Sequence, residues 1–100
     1  LQYFASEFIY CEHGVFDKIV GDATLLESGV ICDFYQFKTS GTIMDGIHSS
    51  GDRVAGYSII AATKQELEAK HNKVIDTLKV LDKEGNNIMR YDLLPQVYGK

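Results

Sequence analysis

"RVAGYSIIAATKQELEAKHNKVIDTL" (Arg53–Leu78) changes period in its middle. Its first part, Arg53 to Ala62, is rich in apolar and β-favouring residues and reads as a strand. Gly56 inside that run predicts a bulge or a close neighbour. Thr63-Lys64-Gln65-Glu66 then has the spacing of a capping box, with Thr63 as N-cap and Glu66 at N3. After it, Leu67, His71, Val74, Ile75 and Leu78 recur on one side of an α-helix. Lys64, Glu68, Lys70, Lys73 and Asp76 fall on the other sides, in water. A one-faced helix of this length must bury its stripe, and the strand that feeds it supplies a sheet to cover.

Working outward, residues 3 to 11 ("YFASEFIYC") read as a strand apolar on both faces. "EHG" is a turn, and "VFDKIV" alternates as a second strand expected to form a hairpin with the first. "DATLLES" has the form of one short helical turn capped by Asp22. "VICDFYQF" reads as a third strand and "TIMDGI" as a short extended piece. Downstream, "VLDKEGNNIM" reads as a closing hairpin around Glu84-Gly85-Asn86, and "LLPQVYGK" as loop. The fold class that results is α+β, a two-layer sandwich in which a mainly antiparallel sheet is covered by one long helix. With 100 residues, the chain is expected to be a single domain over 1–100.

Apolar residues make up 45% of the chain and charged residues 24%, which supplies enough apolar surface for a core and argues against disorder. A net charge of −4 argues against nucleic acid and against an anionic membrane surface as partners. No apolar run approaches the roughly 20 residues a spanning helix needs. The opening "LQYFASEF" carries neither Met nor a basic leader, which fits a cytoplasmic piece of a longer protein. Cys11 and Cys32 each fall in an expected strand and are read as buried free thiols, with a disulfide the alternative if those strands pair.

His13, His48 and His71 share no metal spacing with each other or with the cysteines. His71, on the apolar helix side, reads as a hydrogen-bonded semi-buried residue. His48 beside Ser49 and Ser50 is a poor nucleophile pair, because nothing orients the base. The loop His48, Ser49, Ser50, Gly51, Asp52, Arg53 offers a different chemistry. Successive Ser-Ser-Gly amides can form an anion-binding nest, and Arg53 can add a fork-shaped cation. The alternative is a solvated turn. Glu84 and Asn86, two apart, mimic a Mg²⁺-binding pair, but they straddle Gly85 where a turn favours Asn and Gly for backbone reasons.

The order of these pieces resembles the C-terminal subdomain of ATP-grasp carboxylate–amine ligases. That group includes the L-amino-acid ligases and the carbamoyl-phosphate-synthase-like and biotin-carboxylase-like enzymes. The matching features are Gly14 and Gly21 around "VFDKIV", Gly41 before the polar loop, and Ser50-Gly51-Asp52-Arg53. "GYSIIAAT" leading into "KQELEAKHNKVIDTLKV", and the closing "DKEGNNIMR", complete the match over residues 4 to 90. The resemblance implies a parent that activates a carboxylate with ATP and Mg²⁺ and joins it to an amine. It implies nucleotide-binding lobes upstream of Leu1, against which this chain would pack. The family's Glu-x-Asn-x-Arg metal strand has no counterpart here, since Arg90 is misplaced relative to Glu84 and Asn86. No catalytic, cofactor or metal residue therefore carries over, and no catalysis is expected of this chain alone. The competing expectation is a stand-alone regulatory or small-ligand-binding α+β module that forms a homodimer through its sheet.

Overall fold

Helix α2 (Lys64–Thr77) begins on Thr63, whose hydroxyl accepts the Glu66 amide at 3.1 Å. Glu66 in turn accepts the Ala62 amide at 2.9 Å, so its side chain reaches back over the start of the helix as a capping box requires. The computed structural model describes residues 2–46 and 52–94. Around α2 it places strands β1 (Tyr3–Ile9), β2 (Gly14–Val20), β3 (Asp33–Gln36), β4 (Ile43–Met44), β5 (Ala55–Ala61) and β6 (Lys79–Asp82). A short helix α1 (Asp22–Glu27) and a 3₁₀ turn (Tyr91–Leu93) complete the described elements.

The fold is α+β, and its strands form two small antiparallel sheets rather than one. One sheet has the order β1-β5-β3 and the other β4-β2-β6. The expected hairpin between the first two strands is therefore not formed. β1 pairs along its whole length with β5, from Tyr3 opposite Ala61 to Ile9 opposite Ala55. The segment beyond it is taken by the C-terminal part of the chain. The Glu12 amide donates to the Ile88 carbonyl at 2.8 Å, and the Arg90 amide to the Tyr10 carbonyl at 2.9 Å. With β1 committed on that side, β2 turns away and becomes the centre of the second sheet.

Both sheets feed one core. Ile9, Tyr57 and Ile59 come from the first, Phe16, Met44 and Val80 from the second, and Val74 and Leu78 from α2 and its end. Leu78 is fully buried at the C-cap. Removing such a side chain from water stabilises the fold by about 1.5–3 kcal/mol.

Two other local expectations change. Asp22 does not cap α1: the N-cap is Gly21, at φ 96°, with no side-chain hydrogen bond. A Cβ at Gly21 would lie 2.6 Å from the Thr77 carbonyl oxygen, so glycine lets the start of α1 sit against the end of α2. Of the cysteines, Cys11 is buried and Cys32 exposed, both are free, and neither lies within a strand. The hairpin after β6 forms as read. The Asp82 carboxylate accepts the Glu84 amide at 3.0 Å and the Asn86 amide at 2.8 Å, and Gly85 takes φ 85°.

Candidate functional site

The alternation of the β1-β5-β3 sheet decides where its side chains go. Residues directly opposite across antiparallel strands project to the same face. Tyr57, Ile59 and Ala61 of β5 point toward α2, and all are buried. The neighbouring positions Gly56, Ser58 and Ile60 point the other way, opposite Phe8, Ser6 and Phe4. Across β5, Tyr35 lies opposite Gly56 and Asp33 opposite Ser58. The outer face thus carries Phe4 (65% exposed), Tyr35 (52%) and Ile60 (40%), with Phe37 (51%) just past the end of β3. The register divides these residues into two groups, Phe4 with Ile60 at one end and Phe8, Tyr35 and Phe37 at the other, with the polar row Ser6, Ser58 and Asp33 between them.

The face is organised at one end. Phe8 and Phe37 stand with ring centroids 6.4 Å apart and planes tilted by 39°. The Phe8 ring lies over Gly56, where a Cβ would approach its Cδ1 to 3.3 Å. That ring is the close neighbour the glycine in the strand predicted. Arg53 covers Phe8 in turn, with its guanidinium carbon 3.7 Å from the ring centroid. Its Nε donates to the Tyr10 hydroxyl at 3.4 Å. Stacking and this long hydrogen bond hold the guanidinium in one orientation.

Of the residues singled out in the sequence, Arg53 therefore belongs to the aromatic end of the sheet. His48, Ser49, Ser50 and Gly51 lie outside the described residues. Phe8, Tyr10 and Phe37 were not singled out. Their signal was available: a strand apolar on both faces, with Phe4, Ser6 and Phe8 on the side the helix cannot cover.

Three other clusters are structural. His71 is fully buried under the sheet, and its Nδ1 lies 3.2 Å from the Tyr57 hydroxyl, also buried. Burial lowers the His71 pKa and keeps the ring neutral. The pair acts as an internal polar tie between β5 and α2. Lys83 Nζ donates to Ser40 Oγ at 2.8 Å and to Asp17 Oδ1 at 3.2 Å, while Ser40 Oγ donates to Asp17 at 2.8 Å. These bonds hold the Asp17 carboxyl below the usual range, Ser40 foremost. A lysine that donates to both partners is no base for the serine, so the trio ties β2 to the β3–β4 connection and to the end of β6. The Cys11 thiol is pushed up to about 11 by burial, with Asp52 and Glu12 adding to the effect, and is protonated at neutral pH.

Glu84 and Asn86 sit in the turn that Asp82 organises. Among the described residues, no group of three or more His, Cys, Asp and Glu side chains is placed to hold a metal ion. None of the described helices is long and apolar enough to cross a membrane. No family model, curated protein or solved structure matches this chain.

Proposed function

We propose that this chain is the C-terminal subdomain of an ATP-grasp carboxylate–amine ligase-like protein of the cytoplasm, and that its outer sheet face packs against the nucleotide-binding lobes of the same protein. The observation that carries the reading is the exposed aromatic face opposite α2. A small α+β unit that leaves Phe4, Tyr35, Phe37 and Ile60 in water on one side has the surface of an accessory domain. The α+β fold and the run from β5 through the capping box into α2 fit the resemblance. ATP and Mg²⁺ would be held by the upstream lobes and not by this chain. The face alone would also serve a stand-alone module that pairs with a second copy; the resemblance favours the first reading.

The test separates the two halves of the reading. The chain by itself should neither hydrolyse ATP nor show saturable amide NMR shifts with Mg·ATP. Its net charge of −4 opposes the nucleotide's own charge. Saturation below about 100 μM, roughly −5.5 kcal/mol of binding, overturns the accessory role. The complete protein should consume ATP only when a carboxylate and an amine are supplied together.

A further inference from the structure

We propose that the aromatic face docks a partner segment which places a carboxylate on Arg53 and an apolar side chain across the Phe8–Phe37 end of the sheet. This rests on the docking role given above and names the chemistry of what docks. The argument begins with how Arg53 is held. Its guanidinium carbon lies 3.7 Å from the Phe8 ring centroid, and its Nε donates to the Tyr10 hydroxyl at 3.4 Å. Both contacts leave the Nη1 and Nη2 groups without a described acceptor. Those groups are the donors that bind a carboxylate in a planar, two-pronged geometry.

Among the described residues, none of the ion pairs involves Arg53. Asp52 bears on Cys11, whose thiol its charge pushes up. Asp33 sits opposite Ser58, one row further along the face than Gly56 and Phe8, and lies 4.0 Å from the Cys32 sulfur. A guanidinium fixed on an aromatic ring loses little rotamer freedom when it pairs, so its orientation is set before the partner arrives. The rings beside it supply the apolar half of the contact. Phe37 is 51% exposed and Tyr35 52%, and Tyr35 lies opposite the Gly56 that the Phe8 ring covers. An acidic residue next to an aromatic or aliphatic one fits this arrangement in charge and in shape.

Phenylpropanoate is the minimal probe, because it joins one carboxylate to one ring. Its neutral twin, phenylpropanamide, has the same shape without the charge. Each is titrated into the isotopically labelled chain while the side-chain signals of Arg53, Phe8 and Phe37 are followed. The carboxylate should bind about tenfold more tightly than the amide, the ratio that one charge-assisted pair of about 1.4 kcal/mol supplies. In Arg53→Met that ratio should fall to about one, while weak binding to the rings persists. In Arg53→Lys it should recover only in part, because an ammonium lacks the fork. Equal binding of the two probes to the unaltered chain overturns the carboxylate proposal and leaves the docking face standing. Shifts confined to residues away from Phe8 and Phe37 overturn it as well. A doubled mass in sedimentation with no probe shifts would give the face to a second copy of the chain and also overturn it. Saturable Mg·ATP binding, by contrast, bears only on the ligase reading.

Discussion

The inner and outer faces of the β1-β5-β3 sheet are built from neighbouring residues of the same strands, yet they live in different solvents. On the inner face Tyr57 and Ile59 are 1% and 0% exposed beneath α2. On the outer face Phe4 and Tyr35 are 65% and 52% exposed. Antiparallel sheets commonly pack one face and leave the other to water, where polar residues are expected. Here one long helix covers one side only. The difference teaches that the helix accounts for the inner layer, and that the docking proposal rests on the outer one.

The comparison breaks most visibly at the helix. Leu78→Ala, under the inner layer, should cost about 2–5 kcal/mol in a urea titration. An unchanged midpoint would mean that α2 does not dock where it is drawn. The next effect is tied to pH and to the same layer. Burial lowers the pKa of His71 below its ordinary 6.5, so the unfolded chain binds the proton more readily than the folded one. The stability this gives is complete above about pH 6.5 and is lost as the pH falls through that value toward the folded pKa. Unfolding followed between pH 8 and pH 5 should show that loss, and His71→Gln should flatten it. An equal slope in both proteins would place the titration elsewhere.

Smaller effects sharpen the contrast. Thr63→Ala should cost about 1 kcal/mol through the lost N-cap bond, and Thr63→Ser should be nearly silent. Alanine and serine behaving alike would show that the box does not close. On the outer face, Tyr35→Ser should change the chain's stability by no more than about 0.5 kcal/mol. A loss of several times that amount would make Tyr35 part of the core and remove the distinction between the faces.

Much of the inner layer was legible in the sequence because local signals and tertiary packing agree there. The Thr63–Glu66 spacing set the start of α2, and the positions of Val74 and Leu78 picked out its buried side. His71 was placed on that side but is more deeply buried than expected, because the Tyr57 hydroxyl answers its polar atom. The pairing of strands was not legible. Adjacent strands usually pair, and nothing in "YFASEFIYCEHGVFDKIV" reveals that residues 10–12 are claimed by residues 88–90. That contact joins positions nearly a whole chain apart, and no local propensity encodes it. Arg53 was singled out for its loop neighbours, whereas its stacking on Phe8 depends on β1 lying beside β5. The outer face was visible only as a surplus of aromatic residues, whose meaning needed the pairing register.

The central claim is that the outer face is a docking face. It can be measured by adding a neutral paramagnetic chelate to the chain alone and to the chain joined to the upstream lobes proposed for it. In the isolated chain, side-chain signals of Phe4, Tyr35 and Ile60 should be strongly attenuated, while those of Ile59 and Val74 are untouched. In the complete protein, the outer set should become as protected as the inner set. If Phe4, Tyr35 and Ile60 stay as attenuated in the complete protein as in the chain alone, nothing packs on that face and the account is wrong.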